Sequence, residues 1–491
     1  SAGVGRGPRR SEGVDRELPR LDRRRPVQKS AWRPRRNALG REANVGAAFP
    51  GAQFCANLDR CHAPVVEECV HDLGWRRCEK SDCQWWDVAW ADAEVTVPIV
   101  RALRKGQKIN HFPGIVELTH KCRLAHHLKR MQKKLPHAYG FLPETFILPE
   151  EEEIFSYMCN KQDRPNTFIV KPDKAACGHG IFLTRKPRTV PRTQALVVQR
   201  YIEKPLLIDG MKFDLRLYVL VTSFTPLRAY LHDEGLARFS TVAYSEPQGE
   251  NCDNRFMHLT NYSVNCASKN FVESEGVGDV YEEGSSKRTV TYVRNWLDRN
   301  GFDSREVWRQ IQGIAWKTLV SIEPCVAHEY KSTSAEGSDL NSGSSCFQLL
   351  GFDVLLDNTA TPWLLEVNGR PNLRTNSPLD EIVKKNVVSE TLSIVSADQR
   401  ARPSHSPEEE LAAMRDWRVA NEMASLQRFE PLGDTSGTCN VPESADCKIA
   451  AASLFKGLLN TRVLRTPGIA CWGVAQGPSS QERLPRIAPE I

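Results

Sequence analysis

An α+β fold, with mainly antiparallel sheets flanked by helices, is the class this sequence predicts. Six segments of the 491 residues are β-branched or aromatic and bounded by turn residues, the mark of strands. Helical periodicity falls between these strands singly rather than after each one, and one strand pair reads as a hairpin, so antiparallel pairing dominates.

In chain order the strands are "TFIVKPD" (167–173), "ALVVQRYI" (195–202), "FDLRLYVLVTSF" (213–224), "LRAYLHDEGLARF" (227–239), "CFQLLGFDVLLD" (346–357) and "PWLLEVN" (362–368). Leu124, Leu128, Met131 and Leu135 form the apolar stripe of an amphipathic helix, whose other face carries Lys121, Arg123, Lys129, Arg130, Lys133 and Lys134. Asp303, with Glu306 three residues on, has the capping-box arrangement and opens a second helix through Val307, Ile311, Ala315 and Leu319. A third helix starts at Asp380 and runs through Val383, Val387 and Ile394. Together they give a core over 51–395, interrupted by "KSTSAEGSDLNSGSS" (331–345), which reads as a disordered surface loop. In the tail, 396–491, "ARPSHSPEEE" reads as a linker, "EEELAAMRDWRVANEMASLQRF" as one helix, and the rest as irregular with short helical patches.

A hydrophobic fraction of 40% and a charged fraction of 26% are ordinary for a globular chain. The charge is uneven: residues 1–45 hold thirteen Lys/Arg against five Asp/Glu. Residues 1–50 are therefore a basic disordered arm, either a binder of an acidic polymer or a solvated leader. No N-terminal apolar h-region is present and no run approaches the roughly 18 to 20 apolar residues that span a bilayer, so a cytosolic (cytoplasmic) or nuclear protein with no membrane partner is expected. Fifteen cysteines without a regular framework read as reduced thiols. Cys55, Cys61, Cys69, Cys78 and Cys83, with His62 and His71, raise a zinc site, yet none has the C-x2-C spacing, which favours ordinary thiols. The chain begins at Ser1 and reads as a fragment or a processed product.

The chemistry concentrates in three stretches. In "GFDVLLDNTATPWLLEVN" side chains alternate, so Glu366 and Asn368 share a face and Asp353 can meet them across the hairpin. Such hard oxygen donors suit Mg²⁺, which shares its shell with water and phosphates. In "IVKPDKAACGHGIFL" Lys171 ends an apolar strand before a loop holding Gly178 and Gly180; glycines let backbone N–H groups approach phosphate oxygens and the lysine adds a point charge. The Walker A spacing is absent. In "DGMKFDLRLYVLV" Lys212, Asp214 and Arg216 line one face of a strand whose other face is apolar, which marks a site rather than an idle solvated edge.

These stretches, with "KINHFPG", "VVQRYIEKPLLIDGMKFDLRLYVLVTS", "PLRAYLHDEGLARFST" and "MHLTNYSVN", closely resemble the tubulin tyrosine ligase-like family, and within it the polyglutamylase members. The resemblance covers about 53–395. It implies an ATP-grasp fold, two α+β lobes clamping ATP behind a small N-terminal domain. It implies that Lys171 contacts ATP phosphates, that the loop Cys177, Gly178, His179, Gly180, Ile181 covers them, and that Gln199, Arg200, Tyr201 and Ile202 form the adenine hinge. Lys212, Phe213 and Asp214 would form the nucleotide wall, and Thr260 and Asn261 further contacts. Asp353, Glu366 and Asn368 match magnesium ligands, two ions being typical, with Glu366 bridging. Arg238, Tyr262, Ser263 and Lys287 match positions for the incoming amino acid. The implied reaction is activation of an acceptor carboxylate on an acidic tubulin tail as an acylphosphate, then attack by the amine of free glutamate. Lys171, Arg216 and Glu366 would be its catalytic groups, with no protein nucleophile.

Within the same fold a glycine or tyrosine ligase is the first rival, and a non-catalytic microtubule-binding protein the second. A monomer acting on tubulin or microtubules is expected, at the cytoskeleton, with a cilium, flagellum or basal body as the finer location and no nucleic-acid partner. The fit loosens after the EVN motif, where relatives carry other residues: Gly369 and Arg370 stand near the acceptor, and Arg370 and Arg374 either grip its acidic chain or are solvated. The tail holds eleven Lys/Arg against twelve Asp/Glu, no cationic clamp, so the arm or the basic helix face at 121–134 would attract the acceptor instead.

Overall fold

Alternation decides the centre of the fold. The computed structural model describes residues 54–78, 85–92, 97–104, 106–160, 166–175, 178–333, 345–397, 417–433 and 444–460. The expectations for 1–50, Cys83, Cys177, most of the 331–345 insert and the 398–416 linker lie outside them.

The large sheet runs β12 (Lys287–Thr289), β11 (Leu227–Phe239), β10 (Met211–Phe224), β13 (Gln348–Leu356), β14 (Pro362–Asn368), with β9 (Leu207–Ile208) beside β10 and β15 (Phe429–Leu432) beside β11. Its neighbours are all antiparallel. On β10 the odd positions from Phe213 to Val221 enter the apolar cluster shared with the 30-residue helix Ser304–Thr333. On the opposite face Tyr218 and Leu220 join a second cluster, with helices Pro64–Asp72 and Pro378–Ser396. Lys212, Asp214 and Arg216 sit on that second face, where the apolar cover ends.

A smaller antiparallel sheet has the order β5 (Thr145–Leu148), β8 (Leu196–Arg200), β6 (Phe168–Pro172), β7 (Phe182–Thr184). Phe146, Phe155, Phe168, Val170 and Val198 fill its core. The third sheet departs from the expected pattern. Its strands, β1 (Cys55–Arg60), β2 (Arg76–Arg77), β3 (Val88–Ala91) and β4 (Lys108–Ile109), are parallel. Two are only two residues long, too short to leave a periodic signal. No disulfide and no metal-suited group of three His, Cys, Asp or Glu occurs among the described residues, to which Cys83 of the cysteine-rich stretch does not belong. No helix among them is long and apolar enough to cross a membrane.

The three expected helices form with shifted ends. Lys121–Lys134 matches its apolar stripe, but its basic face turns inward: Arg123 pairs with Glu117, Lys129 with Glu151, and Lys121 with Glu366 at 3.6 Å. Only Lys133 and Lys134 of the six cations stand fully exposed, so this face is a poor attractor for an acidic chain. The third helix starts at Pro378, not Asp380, because the Ser377 hydroxyl caps it by accepting from the Asp380 N–H at 3.2 Å. The single helix expected over 408–429 stops at 424 in its described part, and Phe429–Leu432 is a strand on β11. Glu390 fixes that turn, its Oε1 accepting from the backbone N–H of Gln427, Arg428 and Phe429. Helix Ser444–Asn460 then packs on Ser304–Thr333, so described parts of the tail belong to the core.

Candidate active site

The registers of five strands set the expected charges in one band. Lys287 on β12 pairs with Arg238 on β11, and Arg238 with Asp214 on β10. Arg216, next on that face of β10, pairs with Asp353 on β13, and Asp353 with Glu366 on β14. The side chains follow the register. Arg238 donates to both Asp214 oxygens at 2.8 and 2.6 Å and to Asp353 Oδ2 at 2.8 Å, and Arg216 grips Asp353 at 2.5 and 3.0 Å. Burial alone would push the Asp353 carboxyl up, but the two guanidinium groups hold it well below the usual carboxylate range.

A β-bulge shapes the metal-type end. Asp353 faces Glu366 while Val354 faces Leu364, so Leu365 is an extra residue on β14. Leu364 and Val367 therefore enter the core, and Glu366 and Asn368 turn to the site. The Asn368 amide lies 3.4 Å from Glu366 Oε1 and 3.5 Å from Asp353 Oδ2. Two carboxylates and an amide oxygen, brought together by rotation of that amide, fit a hard divalent cation with an open shell.

One cavity runs from Asp353 and Glu366 between the two antiparallel sheets. Its walls include Lys171, Ile181, Gln199, Arg200, Tyr201, Ile202, Lys212, Asp214, Thr260 and Asn261. Lys171 Nζ donates to Gln199 Oε1 at 2.9 Å and to the Leu365 carbonyl at 3.2 Å, the one on the bulge. Lys212 Nζ donates to the Tyr201 hydroxyl at 2.9 Å and the His258 carbonyl at 2.7 Å. Burial pushes the Lys171 ammonium down to about 8 against the pull of Glu366, and Lys212 down to about 7 against that of Asp214. Two desolvated cations facing one cavity are poised for a polyanion, whose charge would offset their burial.

Gly178 and Gly180 both take positive φ, +73° and +66°, and a Cβ on Gly178 would come within 3.1 Å of Val264. Arg255 holds this loop by donating to the Gly178 carbonyl at 2.7 Å, while His179 is exposed. Phe213 is a correction: its ring is fully buried and stacked on Phe239, because the alternation that aims Lys212 and Asp214 at the cavity turns Phe213 to the core. At the other end of the band the Lys287 ammonium lies 3.9 Å from the centre of the Tyr262 ring, beside an exposed Ser263.

A second cavity lies on the far side of the trio, lined by His120, Lys121, Lys171, Lys174, Glu366, Asn368, Gly369 and Arg370 among others. Arg370 is exposed and donates to the Asp92 carbonyl at 2.6 Å. Gly369 has a packing reason, since a Cβ there would sit 2.7 Å from Thr119 Cγ2. Gly369→Ala is expected to destabilise the fold by about 1–3 kcal/mol through overpacking. Adding Thr119→Ser should recover most of that loss in a double-mutant unfolding cycle, and full additivity would refute the contact.

Sequence reasoning missed Lys121, assigned to a solvent face, together with Arg255, His258, Asp380 and Lys384. Lys121, Arg255 and Asp380 have partners distant in sequence, Lys384 meets Asp380 one helical turn away, and only "MHLTNYSVN" marked the region of His258.

Two α+β lobes enclosing a cavity of buried lysines, a glycine loop and a hard-donor trio define a domain of the ATP-grasp type. The sequence model of the tubulin-tyrosine ligase family matches residues 101–403, and the chain belongs to that family. It is 40% identical over 342 residues to tubulin polyglutamylase TTLL13 of Homo sapiens, covering 69% of this chain and 40% of that protein. It is 40% identical over 341 residues to tubulin polyglutamylase TTLL6 of Mus musculus, again 69% and 40%. To the probable beta-tubulin polyglutamylase of Tetrahymena thermophila it is 39% identical over 329 residues, 67% and 27%. The chain thus spans about two fifths or less of the length of these relatives.

Proposed function

We propose that this chain is an ATP- and Mg²⁺-dependent ligase that adds glutamate to glutamate side chains, or to existing glutamate chains, on the acidic C-terminal tails of tubulin. The observation that carries the reading is the band of register-paired charges, which ends at Lys287 on one side and at Glu366 and Asn368 on the other, with buried Lys171 and Lys212 beside it. The relatives, tubulin polyglutamylases by name, support the substrate, and a cytoskeletal location follows from it.

In this reading Lys171, Lys212 and the N–H groups of the glycine loop bind the ATP phosphates. Asp353, Glu366 and Asn368 would hold the Mg²⁺, which when bound neutralises charge on the transferring phosphoryl group. Arg216 and Arg238 fix Asp353, so this part of the site needs no rearrangement as charge develops. An acceptor γ-carboxylate, approaching from the Lys121 and Arg370 side, attacks the γ-phosphorus to give an acylphosphate and ADP. The amine of free glutamate, held near Lys287, Tyr262 and Ser263, then attacks the acyl carbon and releases phosphate. Positioning and electrostatics supply the rate, and no protein nucleophile takes part.

The test is incubation with microtubules, Mg-ATP and labelled glutamate, glycine or tyrosine in separate reactions. Incorporation of glutamate alone is expected. Incorporation of only glycine or tyrosine would place the chain among the other amino-acid ligases of the fold, and microtubule binding without incorporation of any would make it non-catalytic.

A further inference from the structure

Behind Lys287 lies a charge arrangement that the proposed chemistry does not use. Lys287 Nζ donates to Asp380 Oδ2 at 2.5 Å, and Lys384 Nζ lies 2.9 Å from Asp380 Oδ1. Asp380 is 0% exposed and both lysines are 5% exposed, so two buried ammonium groups share one buried carboxylate. We propose that Asp380 is a positioning residue that holds Lys287 and Lys384 as a paired-cation seat for a carboxylate of the incoming amino acid, and that this seat selects a dicarboxylic amino acid over a neutral one. The inference rests on the ligase reading above and names the specificity device within it.

The geometry of the seat is fixed from three sides. Asp380 lies in the first turn of the helix Pro378–Ser396, where the Ser377 cap and the helix dipole favour an anion, and Lys384 follows one turn later on the same face. Lys287 arrives from β12, next to Arg238, which itself contacts Asp353. Lys384 also donates to the Arg374 carbonyl at 2.5 Å, and Lys287 lies under the Tyr262 ring. The Tyr262 hydroxyl accepts from the Asn376 amide at 3.2 Å, and the exposed Ser263 and Asn376 form a polar rim. One ammonium in excess within a desolvated corner is costly by itself, and an incoming carboxylate removes that cost. Burial pulls the Lys384 ammonium down against Asp380, while Lys384 and Lys287 hold the Asp380 carboxyl below its ordinary range despite burial, as expected for an ionised cluster carrying one surplus positive charge. A neutral donor such as glutamine brings no counter-charge.

The test uses the whole chain with Asp380→Asn, Lys384→Met and Lys384→Arg, and reads KM for glutamate, for glutamine and for ATP, kcat, and the melting temperature. A lost charge-assisted hydrogen bond corresponds to about a tenfold or greater rise in KM for glutamate in Asp380→Asn and Lys384→Met, with KM for ATP unchanged within about twofold. Lys384→Met should also narrow the preference for glutamate over glutamine by a similar factor, and Lys384→Arg should retain it. Unchanged KM and preference in folded variants would overturn the seat. So would a uniform loss of kcat and both affinities together with a lowered melting temperature, the mark of a structural role. Absence of glutamate incorporation by the unmodified chain overturns the ligase reading and the seat with it, whereas incorporation that the variants leave intact overturns the seat alone.

Discussion

Glu366→Gln is expected to lower glutamate transfer by about 10²- to 10³-fold, the scale of losing one group that stabilises transition-state charge. The substitution keeps the shape of the side chain and removes only its charge. Glu366 sits between Lys121 at 3.6 Å and the trio partners Asp353 and Asn368, and its charge also opposes the burial of Lys171. The folded state should survive, because the side chain is half-buried and forms no fully enclosed pair. Single-turnover incorporation of labelled glutamate, with the melting temperature alongside, measures both. Raising Mg²⁺ should recover part of the loss if metal affinity is what fell. Retention of more than about a tenth of the activity would remove Glu366 from the machinery.

The largest effect on stability is expected far from the site, at Glu422→Ala. The Glu422 carboxylate is 2% exposed and accepts from Arg228 at 3.0 and 3.3 Å, from the Tyr230 hydroxyl at 2.7 Å and from the Thr222 hydroxyl at 3.0 Å. Truncation leaves Arg228, 3% exposed, as a buried charge without its counter-ion. Removing one partner of such a pair costs about 3–5 kcal/mol, readable in a denaturant titration. Arg228→Met combined with Glu422→Leu should cost much less, since no charge is then stranded. A loss under about 1 kcal/mol in the single variant would show that water relieves Arg228 and that this part of the tail is not fastened as described.

Much of the centre was legible because it depends on period two. β11 and β14 have the bounds read from the sequence, and the same-face argument for Lys212, Asp214 and Arg216 holds, although applied strictly it should have removed Phe213 at once. The features that escaped are tertiary. The bulge at Leu365 is a property of two strands in register, and nothing in "PWLLEVN" alone announces it. The parallel sheet rests partly on strands of two residues. β15 contains Pro431, which argues against a strand, yet it lies at the sheet's margin where a missing N–H is tolerated. In the site, the glycine loop and hard donors were visible as residue types, whereas Lys121 and Asp380 take their meaning from partners 245 and 93 positions away.

The family match ends at residue 403, but the sheet does not. β15 covers the outer margin of β11 at Ala229–His232, so a chain cut at the family boundary would present four residues of open backbone donors and acceptors. Such a row is a template for a second copy of the same chain. Self-association of the shortened protein, relieved by adding back a peptide of residues 417–460 that restores β15 together with Glu422 and the helix Ser444–Asn460, would be the signature of an opened sheet margin rather than of a misfolded active site.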